Sequence, residues 1–366
     1  MNTMLKIINV VGARPNFMKI APLIRAMNAQ HDRVRHLLVH TGQHYDFNMS
    51  DNILMQLGVP EPDVNLEVGS GSHAEQTGKI MIEFEKVLIQ EEPDLILVVG
   101  DINSTIACAL VATKLGVRVA HVEAGLRSFD RNMPEEINRI LTDSISDFLF
   151  TTEESGNVNL SREGIPREKV HFVGNVMIDT LVHCLQKIEN SGLPFEGLTE
   201  KEYAVVTLHR PSNVDDPQVL KRILEAFQLI SERLKLVIPF HPRTKKNIEE
   251  FGLEDKLKKI GENAIISGPI GYLEMLQLNK SARLVITDSG GVQEETTYLG
   301  VPCITMRENT ERPSTLELGT NVLVGNDLDK LLYSFDQVMS NGFRKGSIPA
   351  LWDGKSAERI VDVLTA

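Results

Sequence analysis

Short apolar runs in this chain end, again and again, in residues that can hold or move charge. Ile7–Val11 runs into Gly12-Ala13-Arg14-Pro15, Val34–His40 into Thr41-Gly42-Gln43-His44, Leu95–Val99 into Gly100-Asp101, and Arg118–Val122 into Glu123-Ala124-Gly125. In the second half Ala204–Leu208 leads to His209-Arg210, Leu236–Phe240 to His241, Leu284–Thr287 to Asp288-Ser289-Gly290-Gly291, and Cys303–Met306 to Arg307. Carboxylates mixed with Arg, Lys and His suit proton transfer beside an anionic ligand. Singly, each has a structural role open to it: Asp101 as cap of the next helix, Glu123 as ion-pair partner of Arg127, His209 as a hydrogen-bonded core histidine. As a set at successive strand ends they form a site candidate.

The stretch Leu284–Val301 is the most specific of these. Gly290-Gly291 leave the backbone bare where a helix from about Val292 to Gly300 presents its unpaired N–H groups, which suits a phosphate or diphosphate. The glycines alone equally fit a strand–turn–helix link that needs their dihedral freedom. Glu294-Glu295 favours the anion site, because a carboxylate one turn on can accept both hydroxyls of a ribose. Ser289 can cap the helix or donate to the same anion.

Parallel strands must carry these residues. Continuous apolar runs separated by helical patterns, such as Met49–Leu57 and His73–Gln90, indicate parallel strands covered on both faces. The fold class is α/β, with two Rossmann-like, doubly wound domains. At 366 residues the chain exceeds one comfortable core. The division is expected at residues 1–175 and 176–355, with Ser191-Gly192-Leu193-Pro194 as a linker and a last helix at Ala357–Leu364. Two such halves bind a ligand in a central cleft, facing the C-terminal ends of their strands.

Composition narrows the partners. Hydrophobic residues at 42% and charged residues at 24% are those of a soluble globular protein. No apolar run reaches membrane-spanning length, and the N-terminus leads into a strand instead of a signal peptide. Cys108, Cys184 and Cys303 are isolated in apolar settings and read as reduced, buried residues of a cytoplasmic protein. A net charge of −12 argues against a nucleic-acid surface and requires a local basic pocket for any polyanion. His40 and His44 flank a helix-breaking Thr41-Gly42, so no metal site is expected.

Longer strings now identify a resemblance. Gly12-Ala13-Arg14-Pro15, Gly100-Asp101, His121-Val122-Glu123-Ala124-Gly125-Leu126-Arg127 and Pro134-Glu135-Glu136-Ile137-Asn138-Arg139 occur in the first half. Thr207-Leu208-His209-Arg210, Thr287–Glu295 and Met306-Arg307 to Thr310-Glu311-Arg312-Pro313 follow. From Lys6 to about Gly325 the chain resembles the non-hydrolysing UDP-N-acetylglucosamine 2-epimerases. The resemblance implies a GT-B fold, a last helix that crosses back to the first domain, a homodimer, and interconversion of UDP-GlcNAc and UDP-ManNAc without a cofactor.

By motif match it implies that Asp101, Glu123 and Glu135 handle protons, while His209 meets the diphosphate or the leaving oxygen. Arg14, Lys19, Ser289, Gly290 and Gly291 would hold the diphosphate and Glu295 the ribose. Tyr272 would flank the uracil, and Arg312 the sugar or the first domain. Lys19 also reads as a solvated surface lysine, and Tyr272 as a boundary aromatic at a helix start. Gln43, His44, Glu136, Arg210 and His241 resemble an effector site for a second UDP-sugar, although a glutamine expected near Gly71 is absent. Asn16 also stands where many relatives carry glutamate. These departures leave open another UDP-sugar, a hydrolysing epimerase that releases ManNAc and UDP, and a glycosyltransferase-like UDP-sugar-binding protein.

Overall fold

A computed structural model describes residues 4–42 and 55–366, the side chain of Arg14 excepted. Contacts divide the chain into two compact units, residues 1–184 with 350–366, and residues 185–349.

The first unit holds a seven-stranded parallel sheet: β1 (Leu5–Val11), β2 (Val34–His40), β3 (Val64–Asn65), β4 (Leu95–Val99), β5 (Arg118–Ala124), β6 (Phe148–Thr151) and β7 (Val170–Phe172). Their order is β3-β2-β1-β4-β5-β6-β7. β4 is buried at every residue, as a run of Leu, Ile and Val covered on both faces must be. β3 and β7 escape the sequence reading, because two or three residues of mixed polarity give no apolar run. Residues 43–54 lie outside the described residues, and with them Gln43, His44 and most of the Met49–Leu57 helical pattern; residues 55–57 are helical.

The second unit repeats the plan with β8 (Tyr203–Thr207), β9 (Lys235–Pro239), β10 (Ala264–Ser267), β11 (Leu284–Thr287), β12 (Cys303–Thr305) and β13 (Asn321–Leu323), all parallel and ordered β10-β9-β8-β11-β12-β13. In both sheets the order reverses once, between β1 and β4 and between β8 and β11. Helices on opposite faces diverge at such a point and leave a crevice at the strands' C-terminal ends.

The unit boundary falls inside the helix Val176–Lys187, later than the residue 175 expected from sequence. Packing explains the shift. Ile178, Leu181 and Cys184 are fully buried, and Thr180 Oγ1 donates to Met18 O at 2.6 Å. Asp179 accepts from the backbone N–H groups of Ser356 (3.1 Å) and Ala357 (2.7 Å), the start of the terminal helix Ser356–Thr365. That helix packs on Arg14–Ala29 of the first unit. Asp179→Ala orphans two helix N–H groups, so the unfolding free energy falls by about 1–3 kcal/mol. Urea titration reads the loss and limited proteolysis the exposure of residues 350–366. An unchanged midpoint would remove Asp179 from this role.

Candidate active site

In the first unit, β5 carries an irregularity between Val122 and Ala124, where Glu123 takes φ +71°. A non-glycine residue holds that conformation only where its surroundings over-determine it. Here the buried Glu123 Oε2 accepts from Lys19 Nζ at 2.5 Å. Lys19 is therefore no solvated surface lysine, and Glu123 pairs with it instead of with Arg127. Asn16 sets the helix in place: its Oδ1 accepts from Gly12 N (3.1 Å) and Ala13 N (3.0 Å), and its Nδ2 donates to Val99 O (3.1 Å). Gly100 is required beside them, since a Cβ there would lie 2.7 Å from Lys19 Nζ at φ +70°.

Asp101 does not cap the next helix, whose N-cap is Ile102. Its Oδ2 accepts from Arg139 Nε (2.9 Å) and Nη2 (2.7 Å). Arg139 Nη1 donates to Glu136 Oε2 at 2.6 Å. Glu136 is 1% exposed and also accepts from Ser128 N, Ser128 Oγ and Phe129 N at 2.9, 3.1 and 2.9 Å. Both its oxygens thus fasten the loop that joins Glu123 to Glu135. Glu135 stands half-buried in the first turn of the helix Pro134–Ile145, with no side-chain hydrogen bond shown among the described residues. The sequence reading missed Arg139, although it closes the PEEINR string three residues beyond Glu136.

In the second unit, buried Asp288 follows β11 and gathers the turn after β8. Its carboxylate accepts from His209 N (3.0 Å), Arg210 N (2.9 Å), Asn213 Nδ2 (2.9 Å) and His209 Nδ1 (2.9 Å). Burial alone would push its carboxyl up; the His209 ring, with the Arg210 and Asn213 donors, outweighs that and holds it below the usual range. With Nδ1 so engaged, His209 keeps Nε2 for a ligand, and its side chain is 43% exposed. Arg210 Nε donates to Asp288 O at 3.0 Å. His241 is the N-cap of Pro242–Glu250, its Nδ1 accepting from Arg243 N at 3.2 Å, and its ring lies 5.8 Å from that of His209.

The helix after Asp288 spans Gly290–Leu299, two residues earlier than the sequence suggested, with Ser289 at its N-cap. The Ser289 hydroxyl makes no capping bond, so it and the first-turn N–H groups remain available to an anion. Arg312 Nε meets Glu294 Oε1 at 2.6 Å and its Nη1 pairs with Glu311, which also accepts from Arg307 Nη2 at 2.7 Å. A Cβ on Gly290 would stand 3.2 Å from Arg312 Nη1, so glycine lets the guanidinium approach the helix start. Glu295 is fully enclosed; burial pushes its carboxyl up to about 7, against the pull of Tyr272 and Asn279, whose Nδ2 is 3.4 Å away. Tyr272 is the half-buried first residue of its helix, Tyr272–Ser281.

Among the described residues no cluster of three or more His, Cys, Asp or Glu can hold a metal, and no helix is long and apolar enough to cross a membrane. Two parallel sheets with flanking helices, each with its polar set at the strand-order reversal, are the make-up of a GT-B protein. The family model for UDP-N-acetylglucosamine 2-epimerase matches residues 26–365, and the chain belongs to that family. It is 49% identical over 99% of both chains to the UDP-N-acetylglucosamine 2-epimerase of Methanocaldococcus jannaschii. A crystal structure of the M. jannaschii enzyme with UDP-GlcNAc and UDP aligns over 99% of both chains, at 47% identity and a TM-score of 0.88. The UDP-2,3-diacetamido-2,3-dideoxy-D-glucuronate 2-epimerase of Pseudomonas aeruginosa is 43% identical over 90% of this chain and 91% of its own.

Glu295 makes a pH prediction. Its carboxyl titrates at about 7 in the fold against an ordinary 4.5, so the folded state holds the extra proton between those values. The stability of the neutral buried form is fully present below 4.5 and lost as pH rises through about 7. Glu295→Gln stays neutral, and its unfolding free energy gains on the parent's by on the order of 2 kcal/mol from about pH 5 to pH 8. Parallel curves in denaturant titrations would contradict the burial effect.

Proposed function

We propose that this chain interconverts UDP-GlcNAc and UDP-ManNAc. The second unit holds UDP: the N–H groups of Gly290 and Gly291, with Ser289, receive the diphosphate and Glu295 the ribose hydroxyls. Tyr272 would flank the uracil. Arg14 and Lys19 from the first unit add positive charge for the diphosphate, Lys19 doing so from its pair with Glu123. Arg312, fixed by Glu294 and Glu311, meets the sugar side.

The C2 proton of the sugar is weakly acidic because no carbonyl adjoins it. Its removal becomes feasible when the C1–O bond to UDP breaks in the same process. The C2–H electron pair then becomes the C1–C2 double bond of a glycal, and UDP leaves with the C1–O pair. Return of a proton to the other face of C2 and re-formation of the C1–O bond complete the epimerisation. Asp101, Glu123 and Glu135 exchange the protons, and His209 meets the departing oxygen through Nε2. The observation that carries this reading is the pair of acids at the C-terminal ends of the neighbouring strands β4 and β5, with one cation holding Glu123 and another Asp101.

UDP is retained and re-added in this reading, so the enzyme is non-hydrolysing; its family setting is a cytoplasmic homodimer supplying sugars for surface polysaccharide. The effector contacts given by the resemblance remain part of it for Gln43, His44, Arg210 and His241, while Glu136 already spends both oxygens on Arg139 and the Ser128 loop. The Pseudomonas relative favours one second reading, a 2-epimerase of a diacetamido UDP-sugar.

Incubation with UDP-GlcNAc in deuterated water, followed by NMR, tests the proposal. Deuterium at C2 and UDP-ManNAc are expected, with no growth of free UDP. Free UDP rising in step with ManNAc would make the enzyme hydrolysing. No exchange with UDP-GlcNAc, but exchange with a diacetamido UDP-sugar, would move the substrate to the second reading.

A further inference from the structure

A buried charged cluster beside the first half-site has no part in the chemistry above. His121 and Asp143 are 0% and 1% exposed. The imidazole Nε2 lies 2.9 Å from Gly100 O, and Nδ1 lies 2.6 Å from Asp143 Oδ1. A carbonyl oxygen only accepts, so Nε2 carries a proton. Asp143 Oδ2 accepts from Gly125 N (3.0 Å) and Arg127 Nη2 (2.7 Å). Burial would push the Asp143 carboxyl up, but His121 and Arg127 outweigh it and hold it down. An ionised carboxylate only accepts as well, so Nδ1 carries a second proton. Arg127 is satisfied on its other side by Glu163, at 2.8 and 2.6 Å.

These contacts fall on either side of the acids. Gly100 immediately precedes Asp101, while His121 and Gly125 bracket Glu123. Gly100 N also donates to Val122 O at 3.1 Å, which closes the link between the ends of β4 and β5. We propose that His121 is a positioning residue: its doubly donating imidazolium ties the Gly100 carbonyl to Asp143 and so fixes Asp101 and Glu123 relative to one another. The inference rests on the proton chemistry proposed above for those acids. Its structural arm can be tested without turnover.

The first measurement is ring 15N NMR of the free protein, which reads directly which ring nitrogens carry protons. His121 is assigned by loss of its signals in His121→Gln or, if that variant does not fold, by their displacement in Asp143→Asn. Protons on both ring nitrogens are expected; a single protonated nitrogen would overturn the proposal, whatever the enzyme does. The second is kinetic. His121→Gln should lose about 100-fold in kcat, the scale of an ångström of misplacement, with KM and the UDP Kd within threefold of the parent. The double variant with Asp143→Asn should be no slower than the slower single one. A kcat near the parent's, or losses that multiply, would also overturn it. Both protons present on a protein without epimerase activity would instead fault the proposed function and leave the geometry standing.

Discussion

A carboxylate enclosed at the C-terminal end of a parallel sheet has to be paired, hydrogen-bonded or neutralised, and the first unit meets that requirement with cations. Lys19 of the helix Arg14–Ala29 reaches Glu123 on β5, and Arg139 of Pro134–Ile145 reaches Asp101 after β4 as well as Glu136 in its own helix. The Lys19–Glu123 and Arg139–Asp101 pairs therefore tie separate elements together as well as neutralising charge. Removing one partner of the Lys19–Glu123 pair would leave the other buried and unmatched, at a cost of about 3–5 kcal/mol. The left-handed backbone of Glu123 persists inside this frame, and it turns the carboxylate toward Lys19.

The second unit uses the same strand order with the roles of the charges exchanged. There the buried carboxylates hold the groups that would meet a ligand. Asp288 fixes the tautomer of His209 and the turn that carries Arg210, and Glu294 with Glu311 fixes Arg312. The helix Gly290–Leu299 adds open N–H groups at its start. One unit thus presents acids steadied by cations, and the other presents cations, a histidine and amide donors steadied by acids. That division matches a reaction in which protons move on the sugar while negative charge develops on the departing UDP.

Much of this was legible in the sequence, and the rest has a physical explanation. β4 and β11 are plain because the runs Leu95–Val99 and Leu284–Thr287, apolar or β-branched throughout, must be covered on both faces. The loops after them followed. Ion-pair partners were harder. Nearness in sequence offers Arg127 as a structural partner for Glu123, whereas its partner Lys19 is 104 residues away. For Lys19 the helix pattern leaves both a diphosphate contact and a surface position open, because it does not show which strand end lies above the side chain. Arg139 and the His121–Asp143 contact stayed hidden for the same reason: spacing along one element does not disclose which other element it faces. Glu136 and Glu135 are adjacent in sequence, yet the helix turns one inward to hold a loop and leaves the other half-buried.

The central claim is the separation of proton transfer in the first unit from nucleotide binding in the second. Calorimetric UDP affinity and epimerase turnover, measured together on Asp101→Asn, Glu123→Gln and Glu295→Gln, test it most directly. The account predicts that the first two lose turnover by at least about 100-fold while their UDP Kd stays within threefold of the parent, and that Glu295→Gln weakens UDP binding. Turnover surviving in both Asp101→Asn and Glu123→Gln, or UDP affinity collapsing in them while Glu295→Gln binds normally, would contradict it.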